Sequence, residues 1–210
     1  MKVEIWSDVM CPFCYIGKRR FENALAQFEN KDEVEIVWRS FQLNPALQTD
    51  PSKNTIEHLA ESKGWDMEYT RKTTDYVVNM AKELGLNYDF EKAIVANSFK
   101  AHRLLHLAKQ NQVQNECEEK LFEAYFIHGK NIDDNDVLLE LGLSLGIHSD
   151  AILDMLSSDA FAADVEADIY QAQQIGVQGV PFFVIDNKYA ISGAQQSETF
   201  LAALYKAKQS

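Results

Sequence analysis

Two cysteines separated by two residues, Cys11 and Cys14, stand where a short apolar segment gives way to a helix start. Val3-Glu4-Ile5-Trp6-Ser7 alternates like a half-buried strand, and Pro12 suits the first position of a helix, where its missing N–H costs nothing. Cys11 therefore falls at a helix N-terminus, whose free N–H groups and macrodipole favour a thiolate over a thiol. Cys14 follows one turn later, close enough to close a disulfide with it. The chemistry this spacing suggests is thiol–disulfide exchange, with Cys11 as nucleophile and Cys14 as its neighbour.

A metal site is the rival use of such a pair. A structural tetrahedral zinc site wants four Cys or His ligands, and only Cys117 is left. His102 and His106 are separated by Arg103-Leu104-Leu105, which is not a zincin motif. No metal is expected. Cys117 lies among Glu116, Glu118 and Glu119, whose charges oppose a thiolate, so it reads as unreactive. Asp8, three residues before Cys11, is equally a tuning or proton-accepting group and a turn-forming aspartate. A second informative site is Pro181 in Gly179-Val180-Pro181-Phe182-Phe183. A proline that begins a strand loses a donor outside the ladder, and a cis bond at such a site is uncommon on sequence grounds alone.

The elements around these residues follow from periodicity. A helix is expected from Pro12 to about Phe28, and a second strand over Val34–Phe41. Gln42–Lys53, with Asn44-Pro45 and Asp50-Pro51, reads as an irregular connection. Helical patterns then dominate to about Gly176: Thr55–Lys63, closed by Gly64; Asp66–Leu84, with Tyr69, Tyr76, Val77, Met80 and Leu84 as its apolar stripe; Ser98–Gln110, capped by Asn97; Glu116–His128; Val137–Leu145; Ser149–Leu156; and Phe161–Gln174. Val180–Ile185 and Tyr189–Ser192 form a hairpin about Asp186-Asn187-Lys188, and a last helix starts near Ser197. Without Thr55 to Leu145 the order is β-α-β-α-β-β-α. The expectation is an α/β domain built from residues 1–54 and 146–210, interrupted by an all-helical insertion over 55–145. A Cys-X-X-Cys beside a strand-helix-strand unit reads as a thioredoxin-like redox motif. Trp6 and Trp38 take strand-core positions.

Composition narrows the partners. With 20 Lys and Arg against 32 Asp and Glu, the net charge of −12 disfavours nucleic acid. The one basic cluster, Lys18-Arg19-Arg20, reads as a solvated helix face. No run of apolar residues approaches a membrane span, the start lacks the pattern of a secretory leader, and three cysteines are too few for a disulfide framework. The expected compartment is the cytoplasm.

The stretches Ser7–Arg20, Phe41-Gln42-Leu43-Asn44-Pro45, Asn97–Leu104, Leu121–Phe126 and Gly179–Phe183 together resemble the DsbA-like thioredoxin-fold proteins, and within them the cytoplasmic FrnE subfamily. The resemblance spans essentially the whole chain and departs at Phe13, where the redox loop more often carries Trp. It implies a thioredoxin fold with a helical insertion and thiol:disulfide oxidoreductase activity, with Cys11 attacking, Cys14 resolving and Pro181 in cis against the pair. It further implies that Val180 offers backbone groups to substrate, and that Pro12, Phe13 and Phe182 form the surrounding surface. Asn97, His102 and Arg103 are its candidates for holding substrate or glutathione. The partners implied are protein or small-molecule thiols and disulfides, with glutathione as a candidate co-substrate and no other cofactor. With Phe13 unable to donate or carry charge, the couple should be less oxidising than that of DsbA, about −120 mV. Two rivals stand beside this reading. One is a glutathione-dependent transferase or isomerase of the kappa-class type, whose relatives generally lack the cysteine pair. The other is a holdase-like protein that captures unfolded chains without chemistry.

Overall fold

The alternating opening becomes strand β1, Lys2–Ser7, in the computed structural model, which describes residues 1–209. Val3 and Ile5 turn to one face and Glu4 and Trp6 to the other, and all four are buried. Helix α1, Pro12–Gln27, follows with Pro12 at its first position, then strand β2, Glu35–Ser40, pairs parallel to β1. Val3, Ile5, Phe21, Phe28 and Trp38 pack together on that crossover.

The segment expected to be irregular contains strand β3, Asp50–Asn54. Helix α2, Thr55–Lys63, starts in a capping box: the Asn54 side chain accepts from the Glu57 N–H at 2.9 Å, and the Glu57 carboxylate accepts from the Asn54 N–H. Gly64 ends it in the left-handed conformation, with φ 66°. Helix α3, Met67–Lys82, buries Thr70, Thr74, Val77 and Ala81. The stripe expected there is therefore wrong at Tyr69 and Tyr76, which are exposed. Small threonines allow closer packing than tyrosines, and their hydroxyls donate to carbonyls of the preceding turn, such as Thr70 to Asp66 at 2.8 Å and Thr74 to Arg71 at 2.9 Å.

Strand β4, Ile94–Val95, pairs antiparallel with β3. Helix α4, Phe99–Gln110, and helix α5, Gln114–Phe122, come next. Beyond Phe122 the expected continuous helix widens into a π-turn over Glu123–Ile127, which turns Ala124, Tyr125 and Phe126 inward in succession. Helices α6, Asn135–Ser144, and α7, Ser149–Ser157, pack on each other and on α4. Ile147, Ile152 and Met155 share one apolar cluster with Leu104, Leu121 and Phe122, so the helical layer continues past residue 145.

Helix α8, Ala162–Gln174, leads back to the sheet, where strands β5, Phe182–Ile185, and β6, Tyr189–Ser192, complete the order β2-β1-β5-β6. β5 runs antiparallel to both neighbours. The three-residue hairpin loop Asp186-Asn187-Lys188 takes φ 48° at Asp186 and 55° at Asn187, the positive values of a type I′ turn, closed by the Lys188 N–H donating to the Ile185 carbonyl at 3.0 Å. Helix α9, Ser197–Lys208, packs beside α1 on one face, while α8, α4 and α5 cover the other side and the β2 edge. There Gln114 imitates a missing strand: its amide donates to the Trp38 carbonyl at 3.0 Å, and its oxygen accepts from the Trp38 N–H at 3.1 Å. A stack of rings, Tyr15 on Phe122 at 4.8 Å and Tyr88 on Phe126 at 4.8 Å, joins α1 to the helical layer. No helix among the described residues is long and apolar enough to cross a membrane.

Candidate active site

Cys11 is the N-cap of α1, in extended conformation, and its N–H donates to the Asp8 carbonyl at 2.9 Å. Its Sγ lies 3.5 Å from the Val180 carbonyl oxygen, within reach of an S–H donor. The Val180–Pro181 bond is cis. Cys14 sits one turn deeper, with its N–H donating to the Cys11 carbonyl at 2.9 Å, and is fully buried. Burial pushes the Cys14 thiol well up, and contact with Cys11 adds to this; the Asp8 backbone N–H and the Ser7 hydroxyl pull the other way. The two sulfurs thus differ in kind. Cys11, itself 3% exposed, caps the helix against the Val180 carbonyl, whereas Cys14 lies wholly in the interior, where burial favours its neutral thiol.

The loop is brought this close by Gly17. A Cβ at that position would stand 2.8 Å from Pro181 Cγ and 3.5 Å from Phe183 Cζ, so only glycine lets the helix and the loop meet without displacement. From the helical layer, the Tyr88 hydroxyl donates to the Pro12 carbonyl at 2.8 Å and fixes the turn between the cysteines. Phe13 is the exposed aromatic of that turn, at 40%. Phe182 is half-buried and packs against Trp6, Ala172 and Val177.

Asp8 is buried and spends both oxygens on the backbone. Oδ2 accepts from the Leu43 N–H at 2.8 Å and Oδ1 from the Met10 N–H at 3.3 Å. Its carboxylate also stands 3.5 Å from His102 Nε2. Asn97 caps α4 from one residue further out than expected, with Oδ1 accepting from the Phe99 N–H at 2.8 Å, and its amide donates to the Leu47 carbonyl at 2.8 Å. Arg103 is buried and donates to the carbonyls of Met155, Ser158 and Ala160, which ties α4 to the end of α7. His102 is fully buried beneath the site. In this structure these three side chains are engaged by the protein's own backbone or interior.

The basic cluster corrects the expectation of a solvated face. Lys18 is buried and pairs with Glu22 at 2.5 Å and Glu119 at 2.6 Å, Arg19 bridges the same two carboxylates, and Arg20 donates to the Ala194 carbonyl at 2.6 Å. The cause is the approach of α5, which brings Glu119 onto α1 and makes desolvated pairing possible. Cys117 is buried, and burial with the neighbouring Glu118 and Glu116 charges pushes its thiol up, away from reactivity. No group of three or more His, Cys, Asp or Glu arranged to hold a metal occurs among the described residues.

A match to the DSBA-like thioredoxin domain runs from residue 2 to residue 205. The chain belongs to this family. Its fold follows the DSBA-like pattern, and similar solved structures bear that out. A crystal structure described as a probable DsbA oxidoreductase from Streptomyces coelicolor is 37% identical, with a TM-score of 0.94 over 100% of this chain and 90% of that one. The Bacillus subtilis protein YwbO is 26% identical across 96% of this chain and 94% of its own length. The cytosolic disulfide reductase DsbM from Pseudomonas aeruginosa, solved with GSH, shares the fold at a TM-score of 0.70 and 15% identity, with both chains covered in full, 100% and 100%.

Three residues near the DSBA-like cysteine pair escaped the reading of the sequence as site residues: Tyr88, Ser7 and Glu118. For Glu118 a signal was present. It stands three, four and seven residues before Leu121, Phe122 and Tyr125, on the buried stripe of its helix. A carboxyl on an apolar stripe is the anomaly that points to a functional group.

Proposed function

We propose that this protein is a thiol:disulfide oxidoreductase in which Cys11 exchanges with a substrate disulfide and Cys14 resolves the mixed disulfide. The observation that carries the reading is the asymmetry of the pair: Cys11 at the helix N-cap, against the Val180 carbonyl, and Cys14 fully buried one turn below it. An extended substrate segment would lie along the Val180–Pro181 loop. The substrate sulfur would bond to Cys11, and its partner sulfur would leave as a thiolate. Cys14 would then attack Cys11, close the intramolecular disulfide and release the second substrate sulfur, so that the cysteine pair is oxidised by two electrons and the substrate reduced by two. The same steps reversed form disulfides.

The motifs Ser7–Arg20 and Asn97–Leu104 support placing the chain in the FrnE subfamily. The likeness to DsbM, described as cytosolic and solved with GSH, supports a cytoplasmic site of action with glutathione as a co-substrate. The test is turnover of a protein disulfide such as insulin by the reduced protein, with Cys11→Ser and Cys14→Ser alongside. Cys11→Ser should abolish turnover and Cys14→Ser should accumulate mixed disulfide; undiminished turnover in Cys11→Ser refutes the assignment.

A further inference from the structure

Of the three consecutive cations on α1, Arg20 alone lacks a counter-charge. Lys18 and Arg19 pair with Glu22 and Glu119, whereas no carboxylate pairs with Arg20 among the described residues. Its guanidinium is half-buried: Nη1 donates to the Ala194 carbonyl at 2.6 Å, and the buried Nε finds no partner. A cation drawn from water onto one neutral carbonyl gives up hydration that a carboxylate would have replaced. What the placement secures is the position of Ala194.

Ala194 belongs to the turn that follows β6. The register of β5 on β6 sets Phe182 opposite Ser192, and the ladder runs one residue further, where the Gly193 N–H donates to the Pro181 carbonyl at 2.8 Å. Pro181 has no N–H, so this carbonyl is the one backbone group by which β6 can hold it. Gly193 takes φ 80°, in the left-handed region, and the turn closes on itself: the Gln195 N–H donates to the Gly193 carbonyl at 2.9 Å and the Gln195 amide to the Ser192 carbonyl at 2.9 Å. Pro181 is bonded to one side of this turn and Arg20 to the other. Gly17, three residues before Arg20 and so on the same face of α1, is where the helix meets both: a Cβ there would stand 2.8 Å from Pro181 Cγ and 3.5 Å from Ala194 Cβ.

We propose, building on the exchange reaction above, that Arg20 is a positioning residue: through the Ala194 carbonyl and the Gly193 N–H it holds the Val180–Pro181 loop at the distance from Cys11 that an extended substrate needs. Cys11 caps α1 and Arg20 lies nine residues further along it, so the nucleophile and the clamp are carried by one helix. The Val180 carbonyl, 3.5 Å from Cys11 Sγ, is thereby fixed relative to the sulfur from the same element that presents the sulfur. Arg20 acts through backbone groups, and its influence falls on whatever lies along the loop. Peptide segments that extend across Val180 depend on it; a disulfide too short to reach the loop does not.

The test compares two substrates, insulin as an extended protein disulfide and bis(2-hydroxyethyl) disulfide as a small uncharged one. Arg20→Met removes the donor and keeps an unbranched side chain. It should lower kcat/KM for insulin about 10-fold, chiefly through a raised KM, as the loss of one hydrogen bond from a charged donor implies. Reduction of the small disulfide should stay within about twofold of native, because the reacting sulfur is untouched. Arg20→Lys, which keeps a donor, should recover insulin reduction to within about threefold. The Gly193 amide should exchange its hydrogen faster in Arg20→Met while the amides of β1 do not, and the Cys11 thiolate, followed by its ultraviolet absorbance against pH, should titrate as in the native protein. Unchanged insulin kinetics or unchanged Gly193 exchange overturns the proposal. Equal losses on both substrates, or a shifted Cys11 titration, also overturn it, since the charge would then act on the sulfur and not through the loop. A native protein that reduces neither disulfide overturns the oxidoreductase reading instead. Should Arg20→Met not fold, Arg20→Gln, too short to reach Ala194, takes its place with the same outcomes.

Discussion

Replacing Gly17 by alanine tests whether the approach of α1 to the Pro181 loop is what sets exchange. The added Cβ would stand 2.8 Å from Pro181 Cγ, and ordinary contact begins at 3.4 Å, so the loop and the helix must part by about 0.6 Å. Such overpacking costs about 1–3 kcal/mol. Alanine in a helix interior recovers about 0.8–1.0 kcal/mol over glycine, which leaves a net loss of about 0–2 kcal/mol. Stability should therefore change little. Exchange should not be spared, because the displaced atoms include those beside the Val180 carbonyl, now 3.5 Å from Cys11 Sγ. A misplacement approaching 1 Å near reacting atoms costs up to about 100-fold. Urea unfolding and insulin reduction on the same preparation give both quantities. A Gly17→Ala protein of near-native stability with undiminished reduction would show that the loop's distance from the helix is irrelevant, and the geometric argument would fail.

Further consequences follow from other parts of the structure. Phe13→His should make the couple more oxidising, since a charged or donating side chain between the cysteines stabilises the reduced form; equilibration with glutathione buffers measures this, and a native potential already near about −120 mV contradicts the reading of Phe13. Tyr88→Phe should lower stability by about 1 kcal/mol through the lost hydrogen bond to the Pro12 carbonyl, seen as a lower urea midpoint at unchanged slope. Asp168, buried on α8, pairs with Arg39 at 2.9 Å and accepts from the Ser40 N–H at 3.0 Å; burial alone would raise its pKa, but His106, Ser40 and Arg39 together hold it below the usual carboxylate value. A depressed folded pKa contributes stability above the unfolded value of about 3.9 and loses it as pH falls through the folded one. Asp168→Asn should therefore cost about 3 kcal/mol at pH 7, and its deficit should shrink below about pH 4; a deficit independent of pH refutes the pairing. Cys117 should resist alkylation in the native protein and react only on unfolding, followed by mass spectrometry.

The elements that place the cysteines were legible because each carries its own local signal. β1 alternates, Pro12 marks the start of α1, and Asp186 and Asn187 accept the positive φ of the hairpin. What stayed hidden depends on partners far along the chain. β3 is polar and contains Pro51, and it becomes a strand through backbone pairing with Ile94 and Val95. Lys18 looks solvated until Glu119 arrives from α5, about a hundred residues later. The α3 stripe misled because tyrosines outrank threonines in hydrophobicity, whereas the close approach of helices selects for small side chains.

The helical layer sends several polar contacts to the helix and strand that carry the cysteines. Tyr88 holds the loop between the cysteines from one side, and Ser7 meets Glu118 from below. The Lys18, Arg19 and Glu119 pairs fasten α5 to the helix that begins at Cys11. Burial raises the Glu118 carboxyl to about 7, while the Ser7 hydroxyl and the nearby His102 and Lys18 draw it down. The inserted helices meet the sheet domain on this surface: Phe122 stacks on Tyr15, and the buried Glu118 accepts from the Ser7 hydroxyl.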